Sequence, residues 1–139
     1  MLKFESIKSI EKFYFFEDAV IESAMMNGTF GEVIDGVFKP AANGKKAIMQ
    51  VEVGHDMGMA EYMIPAGSHV RVVNLEKMGE EDMNIEVYGA QLPKEFVVGD
   101  NLASDEAGVL VTGASAAPYL EIKKVIGNKI GVLADIVMA

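Results

Sequence analysis

Three Asx-Gly dipeptides, Asn27-Gly28, Asp35-Gly36 and Asn43-Gly44, recur at intervals of eight residues. Such pairs accept the positive φ angles of two-residue hairpin turns, whose twist matches that of the flanking strands. The intervening segments, Thr29–Ile34 and Val37–Lys39, are of strand length and rich in β-branched and aromatic residues. The spacing predicts a meander of short antiparallel strands.

Period-two alternation extends that reading along the chain. In Lys46–Val53, Ala47, Met49, Val51 and Val53 share a face opposite Lys46, Gln50 and Glu52, and Ile48 breaks the pattern. His69-Val70-Arg71-Val72 and Asn84-Ile85-Glu86-Val87 alternate as well. Near the end, Ile130, Val132, Ala134, Ile136 and Met138 share one face, with Lys129 and Asp135 opposite. Glu17–Met26 has helix formers behind an acidic start, yet Val20-Ile21 also suits an extended arm. Asn74–Met83, polar with Gly79 inside, reads as an exposed hairpin loop or a single turn. Ile64-Pro65-Ala66-Gly67-Ser68-His69-Val70 is echoed by Phe96-Val97-Val98-Gly99-Asp100-Asn101-Leu102, as two turns of one type, each feeding a strand. No composition shift divides the 139 residues. The expectation is a single all-β domain, a small antiparallel barrel or sandwich, with residues 1–12 as an extended N-terminal arm and 13–139 as the β domain.

Composition narrows the chemistry. Twelve basic residues against 21 acidic ones give a net charge of −9, which argues against nucleic-acid partners. The single arginine, Arg71, leaves little for bidentate phosphate or carboxylate recognition. Cysteine is absent, which removes disulfides, thiol nucleophiles and metal–thiolate sites. Phe13-Tyr14-Phe15-Phe16 is too short to span a bilayer, and no apolar run of signal-peptide length follows Lys3. A soluble protein with no membrane partner, kept or assembled in a cytoplasm, is expected. Neither a nucleophile elbow nor a glycine-rich phosphate loop is present, so no cofactor and no catalytic residue is assigned.

His55-Asp56, with Glu61 and His69, is the candidate metal set for a small metal-dependent hydrolase. The pair lies between Gly54 and Gly58, where a turn with Asp56 bonded to backbone is the simpler reading. Glu80-Glu81-Asp82 lacks the alternate spacing of a calcium loop and reads as a solvated run. Tyr62, Tyr88 and Tyr119 could serve a glycan-binding β-domain on a virion or cell surface, although tryptophan is absent. On balance the chain is read as a non-enzyme.

Two features point to partner contact. Phe4, Phe13, Tyr14, Phe15 and Phe16 place five of eleven aromatics in the first 16 residues. Consecutive aromatics occupy both faces of a strand, so a neighbouring subunit or a second layer must cover some of them. Of ten methionines, eight fall between Met25 and Met83, and Met57-Gly58-Met59 is too glycine-rich for ordinary core. Methionine coats adaptable binding surfaces, so Met57 and Met59 read as a protein–protein contact beside Phe13, Tyr14, Phe15 and Phe16.

The stretch FVVGDNLASDEAGVLVTG…APYLEIKKVIGNKIGVLADIVMA, from Phe96 onward, resembles the C-terminal half of capsid decoration (cement) proteins of tailed bacteriophages. There an apolar-x-x-Gly-Asp segment leads into a strand, then a glycine turn such as Ala107-Gly108, then a final strand pair. FGEVIDGVFKPAANGKKAIMQVEVG resembles the opening hairpins of the same family. The resemblance implies a virion structural protein without enzymatic activity, made in the bacterial host cytoplasm. It implies binding to the outer capsid surface at junctions between major capsid protein subunits, as a homo-oligomer (dimer or trimer).

Overall fold

A computed structural model describes residues 2–4, 16–49, 63–80, 84–89 and 92–137. Phe13, Tyr14, Phe15, Met57 and Met59, together with His55, Asp56, Glu61 and Tyr62, lie outside the described residues. The described chain is mostly β, as the alternation and turn spacing predict. The strands are β1 (Leu2–Phe4), β2 (Phe16–Ile21), β3 (Met25–Met26), β4 (Phe30–Ile34), β5 (Val37–Pro40), β6 (Lys46–Ile48), β7 (Met63–Ile64) and β8 (His69–Asn74). A single helical turn and a half, α1 (Leu75–Glu80), precedes β9 (Asn84–Tyr88), β10 (Asn101–Ser104), β11 (Leu110–Thr112), β12 (Tyr119–Ile126) and β13 (Gly131–Val137).

They assemble into a closed five-stranded barrel, β2-β5-β4-β6-β8, and a six-stranded sheet, β1-β9-β13-β12-β10-β11, with β3 and β7 as a separate ribbon. The β2–β5 pair is parallel, and the other described pairings are antiparallel.

The turn positions match the dipeptides, but the connections differ from a meander. Asp35-Gly36 closes a true hairpin, with Ile34 opposite Val37 and φ of 52° and 78° at the two turn residues, both positive as a type I′ turn requires. Asn27-Gly28 leads instead from β3, which pairs with β7, into β4. Asn43-Gly44 carries the chain from β5 across to β6, on the far side of β4. The crossing is tight: a Cβ on Gly44 would lie 2.5 Å from the Gly31 nitrogen.

Ile48 breaks the alternation because its strand is buried on both faces. Ala47 and Met49 enter the larger core, formed where the barrel wall meets the sheet, while Ile48 enters the barrel interior. Neighbouring β8 does the same, with Val73 in the larger core and Val70 and Val72 inside the barrel. From the sheet, Ile85 and Val87 of β9, Leu120 and Ile122 of β12, and Val132 and Ala134 of β13 complete the larger core. Each such fully buried Val, Leu or Ile side chain stabilises the fold by about 1.5–3 kcal/mol relative to exposure. A bulge between Ile122 and Lys124 shifts the register so that Val125 returns to the core face opposite Val132.

The two segments open to a helix resolve in opposite directions. Within Glu17–Met26 the chain forms β2 and β3, as Val20-Ile21 suggests. Asn74–Met83 contains α1, whose first turn is capped by Asn74 Oδ1 accepting the Lys77 N–H at 3.2 Å. Leu75 and Met78, three apart on one side of that turn, are buried in the larger core, so the segment is less exposed than its polarity suggests.

The sequence echo is a repeated hydrogen-bond unit. Ile21 donates to the Ser68 carbonyl at 3.1 Å and accepts from Gly67 at 2.7 Å, just as Ile122 donates to Asp100 at 3.0 Å and accepts from Gly99 at 2.9 Å. The partner strand precedes the first turn and follows the second, so the unit recurs as a turn of one type with different connectivity.

Candidate functional site

Phe16 is the one residue of the expected contact set within the described chain. Alternation along β2 sends Ala19 and Ile21 into the barrel and leaves Phe16 on its outer wall, opposite Val73 in the β8 register. There it is half-buried against the larger core. The guanidinium of Arg71 stacks over the ring, 4.3 Å from its centroid. Arg71 Nε also donates to the Met49 carbonyl at 3.0 Å, and the Met49 N–H donates back to the Arg71 carbonyl at 2.9 Å. The sole arginine thus clamps β2, β8 and the end of β6 together, with only part of the Phe16 ring left to solvent.

Tyr88 and Tyr119, the two described tyrosines of the glycan reading, stand apart. Tyr88 stands opposite Gly131 and Tyr119 opposite Val137, at the two ends of β13, a separation of about 20 Å at strand rise. Tyr88 is engaged within its own sheet. Its ring covers Gly131, where an added Cβ would meet the ring at 2.4 Å, and its hydroxyl donates to Glu86 Oε1 at 2.9 Å. Burial, then the hydrogen bond to Glu86 and that carboxylate's charge, push the Tyr88 phenol above its ordinary pKa. On the same face Glu121 and Asp135 stand directly opposite one another. Lys123 bridges them, hydrogen-bonded to Glu121 and 3.8 Å from Asp135 Oδ2. Bonding to Glu121 above all raises the lysine pKa.

His69 is exposed at the start of β8, opposite Val20. Among the described residues no three His, Asp or Glu side chains lie close enough to share a metal ion. Also among the described residues, no helix is long and apolar enough to cross a membrane.

Two open clefts are formed by described residues. One, of about 280 Å³, is lined by Lys45, Glu76, Glu80, Ala117 and Pro118. Its lysine and Glu76 neutralise each other at 3.1 Å. The other, of about 370 Å³, lies beside the β3–β7 ribbon and includes Met25, Met26 and Met63 among its walls. Met63 is 47% exposed, and Val97 and Val98, on the turn entering β10, are 61% and 59% exposed. The methionine excess signals the second cleft, but its members come together only through strand pairing. Comparison of the chain with known protein families, characterised proteins and solved structures finds no match.

Proposed function

We propose that the chain is a capsid decoration protein. It binds the outer surface of an assembled tailed-phage shell and stabilises contacts between major capsid protein subunits. The observation that carries the reading is the order of elements after Phe96. The Val97–Asp100 turn, held by the Val97 N–H donating to Asp100 Oδ2 at 2.9 Å, leads into β10. The Gly108 turn follows, and then β12 and β13 pair as a final hairpin. This is the succession that the resemblance implies. The exposed Val97 and Val98 on that first turn suit a protein whose surface is completed by a partner.

In this reading Phe13, Tyr14, Phe15 and Phe16, with Met57 and Met59, contact the shell, and the protein acts as a dimer or trimer. Stabilisation is mass action: a ligand of the assembled shell that ignores free subunits shifts the equilibrium toward the shell. The charge of −9 keeps such a protein soluble and unattracted to the enclosed DNA. The test is to mix the purified chain with mature capsids from the same genome and image them by electron cryomicroscopy. Ordered extra density at subunit junctions is expected. Bare capsids at micromolar protein would overturn the proposal.

A further inference from the structure

Met26 on β3 and Met63 on β7 are direct cross-strand partners. Side chains so paired stand on one face of the ribbon with Cβ atoms about 4.5–5.5 Å apart. Methionine, unbranched with three rotatable bonds, can bring two such sulfurs to a common point. Met26 and Met63 both line the 370 Å³ cleft, whereas the side chain of Met25, on the other face of β3, packs into the barrel core. Glu106 lies on the same cleft wall, and none of the described residues that line it is basic. The Met26 and Met63 thioethers and the Glu106 carboxylate therefore border one opening to solvent.

We propose that Met26 and Met63 form a binding site for a soft monovalent cation, Cu(I) or its analogue Ag(I). Thioether sulfur is a soft, neutral donor that selects Cu(I) over harder divalent ions. Two thioethers on one face of the ribbon match the low coordination number of a closed-shell monovalent ion. The Glu106 carboxylate adds a favourable charge near the bound cation without being required as a ligand. The chain has no cysteine, so no thiol competes for the metal. Thioethers carry no proton to displace, unlike thiol or imidazole ligands, so affinity is nearly flat with pH down to the carboxylate range. The site does not depend on the capsid reading.

The test uses the full chain with ¹³C-methyl-labelled methionine, titrated with silver nitrate in chloride-free buffer. The Met26 and Met63 methyl resonances are expected to shift together and saturate at one ion per chain. The response should be the same at about pH 7 and about pH 5, and zinc should leave both resonances in place. The Met26→Leu/Met63→Leu double variant, close in volume and so expected to keep the wild-type melting temperature, should bind silver at least about tenfold more weakly. Shifts confined to other methionines, or unchanged affinity in a folded double variant, would overturn the site.

Discussion

Gly44 donates its backbone N–H to Ser104 Oγ at 2.8 Å, across a sequence separation of 60 residues. The same hydroxyl donates onward to the Ala41 carbonyl at 2.7 Å, and the Asn43 N–H reaches the Ser104 carbonyl at 2.9 Å. One small buried side chain thus fastens the β5–β6 crossing of the barrel to β10 of the sheet. Ser104→Ala leaves the Gly44 N–H buried without its acceptor and should cost about 1–3 kcal/mol. Urea unfolding should show a lower midpoint with an unchanged slope. A midpoint equal to wild type would count against the fastening role.

Gly31 and Gly36 should respond to alanine very differently. At Gly31 a Cβ would sit 2.0 Å from the Lys39 carbonyl oxygen, whereas at Gly36 it would meet nothing within 4 Å. Gly36→Ala therefore costs only the positive-φ penalty, about 1–2 kcal/mol. Gly31→Ala forces two backbone segments apart and should cost on the order of 3 kcal/mol or more. Thermal melts of the two variants, side by side, test the ordering.

The Arg71–Phe16 stack is open to a double-mutant cycle. Arg71→Met and Phe16→Leu, alone and combined, should give a coupling of about 0.5–1 kcal/mol. Arg71→Lys keeps the charge but not the planar face or the Nε–H donated to Met49, so it should not recover wild-type stability. Full recovery with lysine would show that charge alone matters there.

Tyr88 makes stability fall at high pH. Its phenol pKa is raised in the folded state, so the folded chain holds that proton more tightly than the unfolded chain. The contribution is complete below the unfolded value near 10 and is lost as pH rises through the folded value. Urea midpoints measured across that window should decline, and Tyr88→Phe should flatten part of the slope. Phenolate absorbance should show one tyrosine titrating late in the wild type and none in its place in the variant.

Much of the β architecture is legible in local sequence, because the turn at Asp35-Gly36 and the alternation of Val132, Ala134 and Ile136 depend on neighbours in the chain. The strands with a core on each face are harder to read. Val72 and Val73 are adjacent and both fully buried, and nothing local says that each faces a different interior. Leu75 and Met78 were hidden for another reason: six residues are too few for a helical period to stand out. The β3–β7 cleft is less legible still. The methionine excess is visible, but the pairing of Met26 with Met63 is a matter of register between distant segments. Phe16 stands out as part of an aromatic run, whereas its partner Arg71 is named only by the β2–β8 ladder.

Synthesis order gives the six-stranded sheet an unusual dependence. β13 lies between β9 and β12, so it is the seam between the β1–β9 pair and the β12-β10-β11 group. It is also the last described strand to leave the ribosome. Until residues 131–137 are available, the two flanking groups have no shared ladder, and the core faces of both lack Val132 and Ala134. Among the described strands, β13 alone joins the two halves of the sheet into one ladder.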